Sequence, residues 1–115
     1  MQAPQYDRGR ATRLLPLLNS ITREIEERSA ALAELEARMS PSAPSDGLPF
    51  LTEDELRNLV AEAALHRREL RHAKEELLAL GCSIVGTEPI TIRIPGHLGS
   101  ERRSFVYRTG DPVLR

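Results

Sequence analysis

Two stretches of helical apolar periodicity, separated by a segment rich in proline and serine, constrain the fold of this chain more than any other feature. The first stripe repeats every four and three residues with one interruption at Arg28, and consists of Leu14, Leu18, Ile21, Ile25, Leu32, Leu35 and Met39. The second stripe has the same period and consists of Leu56, Leu59, Ala63, His66, Leu70, Ala73, Leu77 and Leu80. Such a stripe is typical of a helix that packs on one partner along its length. The sequence therefore predicts helices over residues 8–39 and 53–80, joined by a loop over residues 40–51.

Local signals mark the ends of both helices. Asp7 can cap the first helix, but Pro16 lacks an amide donor, so we expect a kink there or a regular helix only after it. Thr52 and Glu55 have the spacing of a capping box for the second helix. Gly81 suits the end of that helix because glycine adopts the left-handed conformation without a steric penalty. Two such helices on a short connection are expected to fold back as an antiparallel hairpin.

Beyond the second helix the apolar period changes from helical to alternating. Ile90, Ile92 and Ile94 share one face of a strand, and "SFVYR" follows the glycine-containing segment "PGHLGSER". Alternation around a glycine turn predicts a β-hairpin, here over residues 84–108. The sequence thus predicts a single domain over residues 1–115 of the α+β class, mainly α, in which a long antiparallel helical hairpin is followed by a small C-terminal β-hairpin.

The chain carries more apolar surface than a thin hairpin can cover. An isolated two-stranded ribbon is marginally stable in water, and Leu15, Leu17, Val60 and Leu78 lie beside the two stripes. We therefore expect a homodimer in a four-helix arrangement, with docking on another protein as the alternative. The predicted assembly interface consists of Leu18, Ile21, Ile25, Leu32, Leu59, Leu70 and Leu77.

Three segments occur in an order that a known family shares: "ATRLLPLL", "LLALGCSI" and "IPGHLGSERRSFVYRTGDP". This order, from about Tyr6 to Pro112, resembles the bacterial and archaeal family called domain of unknown function 2203. The resemblance implies a helical hairpin followed by a β-hairpin, and it implies no activity. Relatives have an acidic residue before an aromatic–proline pair where this chain has Arg93, Ile94 and Pro95. The resemblance therefore does not carry a shared acidic binding site over to this chain.

Some polar residues lie in or beside the seam, which is the line of contact between the two predicted helices, and they have two interpretations. Glu62, His66 and Glu69 are spaced to share one helical face and are metal candidates, but bundles that bind two metals use the order Glu-x-x-His and acids from further helices. We favour a hydrogen-bonded seam histidine and predict no metal and no cofactor. Arg28 is predicted to pair with Glu62 across the seam and to fix the register of the hairpin.

Arginines on the second helix and the β-hairpin form a candidate anion-binding set: Arg67, Arg68, Arg71, Arg102 and Arg103. The net charge of the whole chain is −1 and its aromatic content is 3%, so neither favours a nucleic-acid partner. We favour a solvated basic face. A binding module for nucleic acid or another anionic ligand is the alternative function.

The sequence offers no catalytic set. Cys82 follows a helix C-terminus, where the helix dipole disfavours a thiolate, and Ser100 and Ser104 lack the context of a nucleophile. No apolar run approaches the roughly 20 residues of a membrane span. We therefore predict a cytoplasmic structural or interaction protein rather than an enzyme.

Overall fold

The computed structural model describes residues 5–40 and 51–111, in which three helices precede a three-stranded antiparallel sheet. The elements in chain order are α1 (Arg8–Arg13), α2 (Leu15–Met39), α3 (Glu53–Ala79), β1 (Ser83–Thr87), β2 (Ile90–Leu98) and β3 (Glu101–Arg108). The predicted α+β class, mainly helical, is confirmed. Most of the predicted loop, residues 41–50, lies outside the described residues.

The predicted helix over residues 8–39 is two helices in the structure. Asp7 caps α1 by accepting a 2.8 Å hydrogen bond from the Arg10 amide. Leu14 ends α1 and caps α2, and Pro16 lies in the first turn of α2. A proline is tolerated there because an amide in the first turn has no partner within the helix. The helix therefore restarts just before Pro16 instead of bending at it.

Both predicted ends of α3 are confirmed. Thr52 and Glu55 form the capping box, in which the Glu55 amide donates to the Thr52 hydroxyl at 3.1 Å. Gly81 has a φ of 80°, and the Cys82 amide donates to the Leu77 carbonyl at 2.9 Å. These contacts form a Schellman motif, which satisfies the last carbonyls of α3 and turns the chain towards β1.

The sheet has one strand more than the predicted hairpin over residues 84–108. β2 and β3 form that hairpin, and β1 adds to the other side of β2. A β-bulge lies between Ile84 and Gly86. Since a bulge disrupts the alternation of side chains, the short β1 carries no period of two in its sequence. Beyond the end of β1 at Ser83, Tyr6 lies along the same edge of β2 and forms backbone hydrogen bonds with Pro95 and His97.

In the part of the chain that the structure describes, the core is divided into two clusters along an elongated molecule. The larger cluster joins the helices to the inner face of the sheet and includes Leu18, Ile21, Ile25, Leu77, Ile92, Ile94, Phe105 and Tyr107. The smaller cluster, near the other end of the hairpin, consists of Leu35, Leu59 and Ala63 with Leu32 and Met39 packed on it. The radius of gyration is 18.8 Å, against about 13 Å for a compact fold of this length. Much of the helical surface therefore has no cover from the same chain.

Candidate functional site

The residues predicted to form the assembly interface lie largely inside the chain's own core. Leu18, Ile21, Ile25 and Leu77 belong to the larger cluster, and Leu59 belongs to the smaller one. Leu32 and Leu70 are partly buried against these clusters. Because most of these side chains pack within one chain, a second copy would have to contact mainly other residues. Among the described residues, the large apolar side chains that remain exposed are Leu17, Leu51, Leu56, Val60, Leu65, Leu78, Val85 and Leu98.

A polar layer separates the two core clusters. Arg28 donates from Nε to Glu24 Oε1 at 2.8 Å, and its NH1 lies 3.1 Å from His66 Nδ1. A guanidinium can only donate, so His66 accepts at Nδ1 and carries its proton on Nε2. The hydrogen bond to Glu24 raises the pKa of Arg28, partly offset by desolvation, and the charge of Glu69 adds to the rise. The predicted Arg28–Glu62 pair is therefore wrong. Arg28 forms its ion pair with Glu24, one turn away on α2, and its contact across the seam is with His66 on α3.

The metal candidates Glu62, His66 and Glu69 are not arranged as a cation site. The Nδ1 atom of His66 faces a guanidinium, whose positive charge opposes a bound cation. Within residues 5–40 and 51–111, no group of three or more histidine, cysteine, aspartate or glutamate side chains could hold a metal ion. The contact with Arg28 thus explains a histidine at this position of the seam, as a hydrogen-bond acceptor.

One concave surface lies between the helices and the edge strand β1 and extends along α3. Two adjoining cavities, of about 560 Å³ and 460 Å³, share Lys74, and together we call them the Lys74 groove. Its apolar lining consists of Ile25, Leu70, Leu78, Ile84 and Ile90. Its charged lining consists of Glu26 on α2 and Arg67, Arg71, Lys74 and Glu75 on α3. Leu78 is 67% exposed at this surface.

A second concave surface lies on the sheet, and we call it the arginine pocket. It has a volume of about 260 Å³ and is lined by Gln5, Arg93, Pro95, Gly96, Arg102, Arg103 and Ser104. Arg93 donates from Nε to the Ser104 hydroxyl at 2.9 Å. The lining is polar and carries three guanidinium groups.

The structure divides the predicted anion-binding set between these two surfaces. Arg67 and Arg71 line the Lys74 groove, where Arg67 also pairs with Glu36 at 3.1 Å. Arg102 and Arg103 line the arginine pocket. Arg68 is exposed and lines neither surface.

Sequence reasoning missed Arg93 and Ser104 as members of one site with Arg102 and Arg103. Alternation along β2 places Arg93 on the face opposite Ile92 and Ile94, so its exposure was predictable. The neighbours of Arg93 depend on the register of β2 and β3, which pairs Pro95 with Ser104. The alternation of apolar residues along each strand does not predict that register.

Cys82 is buried beneath the sheet, with 1% of its surface exposed. Burial raises the pKa of its thiol from 9.0 to about 11. The thiolate is the nucleophilic form of cysteine, so the environment holds Cys82 in its unreactive form near neutral pH.

A sequence model of the family described as uncharacterized conserved protein (DUF2203) matches residues 5–115. No curated protein and no solved structure matches the chain. None of the helices among the residues that the structure describes has both the length and the apolar content that crossing a membrane requires.

Proposed function

Because the chain belongs to the DUF2203 family, whose description names no activity, we propose a function from geometry: the protein is an assembly module that forms a homodimer through the Lys74 groove. The observation that carries this proposal is the groove itself, an apolar surface of two adjoining cavities beside an edge strand. An exposed apolar surface that is rimmed by polar residues is a candidate protein–protein interaction site.

The charges of the groove favour a second copy of this chain as the occupant. Glu26 on α2 and Lys74 on α3 line the same cavity, so it carries opposite charges on two neighbouring helices. A twofold axis in the plane of the groove, perpendicular to the line that joins Glu26 and Lys74, would exchange the positions of these two residues. Each Glu26 would then face Lys74 of the second copy, and two ion pairs would form around one apolar centre. A surface that complements itself in this way suits an isologous dimer.

The apolar lining supplies the free energy of association in this proposal. Burying one large aliphatic side chain stabilises a complex by about 1.5–3 kcal/mol, and Leu78 is 67% exposed. Leu70 and Ile84 are partly buried and would lose their remaining exposure in the interface. The dimer would also cover the side of β1, whose unpaired backbone is otherwise open to other chains.

We propose that the protein lies in the cytoplasm, a reducing compartment. Cys82 is a free thiol, and the protein relies on packing and assembly for its stability.

Two matched substitutions on α3 test the proposed interface. Leu78→Asp places a charge in the Lys74 groove, and Leu65→Asp places the same charge at a position that is 48% exposed and lines no part of the groove. Sedimentation velocity should show that Leu78→Asp is a monomer and that Leu65→Asp retains the mass of the unmodified protein. Equal masses for the two variants would contradict the proposed interface, and circular dichroism would establish that both remain helical.

A further inference from the structure

The arginine pocket lies among three successive rows of side chains across β2 and β3, on the outer face of the sheet, away from the hydrophobic core. The register pairs Arg93 with Val106, Pro95 with Ser104 and His97 with Arg102. The middle row has the shortest side chains, and each row beside it carries one arginine. Successive rows on one face lie about 7 Å apart, because each residue of a strand rises about 3.4 Å. The arginine pocket is the depression that this pattern leaves over Pro95 and Ser104.

Two guanidinium groups at this depression have no carboxylate partner among the residues that the structure describes. Arg93 and Arg102 take part in no ion pair within those ranges, whereas Arg103 lies 3.7 Å from the exposed carboxylate of Glu101. The hydrogen bond from Arg93 Nε to Ser104 fixes the direction of the guanidinium. Its two terminal nitrogens remain as donors. An arginine that is already oriented loses less conformational freedom when it binds a ligand.

From this arrangement we infer that the arginine pocket binds a phosphoryl group, either as inorganic phosphate or as the monoester of a small molecule. Arginine matches the oxygens of a phosphoryl group with paired N–H donors. Arg93 and Arg102 belong to the rows on either side of the depression, and Gln5 lines it from the N-terminal segment that runs beside β2. Donors on three sides suit a tetrahedral anion better than a planar carboxylate, which offers two oxygens.

The size and lining of the pocket restrict the ligand further. A volume of about 260 Å³ is below the range of roughly 300–1,000 Å³ found for pockets that hold drug-sized ligands. Within residues 5–40 and 51–111, no aromatic side chain lines the pocket, so these residues offer no platform for stacking a nucleic-acid base. Both features favour a small phosphorylated compound over an oligonucleotide.

This site goes beyond the proposed dimer and does not depend on it. The arginine pocket lies on the outer face of the sheet, whereas Ile84 and Ile90 of the Lys74 groove belong to the side that faces the helices. Loss of one property therefore leaves the other measurable.

Isothermal titration calorimetry at low salt, with glycerol 3-phosphate and with inorganic phosphate, tests the inference on the full chain. Arg93→Gln and Arg102→Gln remove one donor group each, and Arg108→Gln is the matched control. Arg108 lies on the same outer face of β3 but outside the pocket. A charge-assisted hydrogen bond accounts for about a tenfold change in affinity or more. We therefore expect both pocket variants to weaken binding by at least about tenfold, and Arg108→Gln to leave it nearly unchanged.

The ratio of the two affinities identifies the source of the phosphoryl group. Tighter binding of glycerol 3-phosphate indicates a monoester, and equal or tighter binding of inorganic phosphate indicates the free anion. The inference is overturned if neither probe binds, or if Arg108→Gln weakens binding as much as the pocket variants do, because diffuse charge would then suffice. Tighter binding of a single-stranded oligonucleotide, lost steeply as salt is raised, would also overturn it.

Discussion

The NH1 atom of Arg28 lies 3.1 Å from the Nδ1 atom of His66, across the seam between α2 and α3. This contact lies in the polar layer between the two apolar clusters of the hairpin. A polar pair at one level of an otherwise apolar seam favours a single register, because any slip would leave the guanidinium against aliphatic side chains. We therefore expect the pair to set the alignment of the hairpin and the clusters to supply most of its stability.

Removing one partner of this pair should cost more than removing both. His66→Leu leaves Arg28 without its acceptor across the seam, and we expect a loss of about 1 kcal/mol in the free energy of unfolding. The double variant Arg28→Leu, His66→Leu replaces the pair by aliphatic contact and should recover most of that loss. Urea unfolding followed by circular dichroism measures both. If His66→Leu were as stable as the unmodified protein, the contact would have no part in stability.

Gly96→Ala should destabilise the sheet because no space exists for a methyl group. A Cβ atom at Gly96 would clash with the ring of Phe105 and lie 2.6 Å from the Tyr6 carbonyl oxygen. We expect a loss of about 1–3 kcal/mol in the free energy of unfolding, as for other overpacked sites. Gly86→Ala is the control, since its Cβ would lie 3.3 Å from the movable side chain of Thr91. Similar melting temperatures for the two variants would contradict the close packing of Phe105 and of the Tyr6 segment on Gly96.

Stability should fall above pH 9 because of Cys82. Burial raises the pKa of this thiol from 9.0 to about 11, so between these values the unfolded chain loses a proton that the folded chain retains. The stabilising effect is therefore fully present below pH 9 and is lost as the pH rises towards 11. Desolvation, and then the charge of Cys82, also raises the pKa of Tyr6, which adds to the loss.

The variant Cys82→Ala isolates the contribution of the thiol. Urea midpoints measured from pH 8 to pH 10.5 should decline more steeply for the unmodified protein than for Cys82→Ala. Parallel declines would contradict the burial of the thiol. Reaction of the native protein with a thiol reagent at pH 8 should likewise be slow until urea unfolds the chain.

Reversing charges in the Lys74 groove should weaken the dimer, and reversing both should restore it. Glu26→Lys alone would place two cations opposite each other in the proposed interface, and Lys74→Glu alone would place two anions there. The double variant returns opposite charges to both contacts. Glu27→Lys is the control because Glu27 is exposed at the next position and lines no part of the groove.

Dissociation constants from sedimentation equilibrium give the test of this arrangement. Each single reversal should raise the dissociation constant, and the double variant should return it towards that of the unmodified protein. If Glu27→Lys weakened the dimer as much as Glu26→Lys, net charge rather than the pairing would explain the effect.

The helices were predictable because their signals are local. The stripes and the capping box of Thr52 and Glu55 depend on residues a few positions apart, and the structure confirms them. The restart at Leu14 was less accessible, because Pro16 is compatible with a kink or with a first helical turn. β1 was missed because its bulge between Ile84 and Gly86 removes the alternation that identifies a strand.

The surfaces were harder to predict than the elements. An apolar stripe indicates that a helix face is covered, but not whether the same chain or a second one covers it. The core residues Leu18 and Leu59 were therefore assigned to an assembly interface. The arginine pocket depends on the pairing of β2 with β3, which brings Arg93 and Ser104 together although they are distant in sequence. Arg28 was identified as a seam residue, but its partner depended on the exact height of α3 beside α2.

Multi-angle light scattering of the unmodified protein over a wide range of concentrations tests the central claim most directly. The proposed homodimer predicts a mass near 25.6 kDa, twice the 12.8 kDa of the chain, with dissociation only on dilution. A mass of 12.8 kDa at every concentration would contradict it.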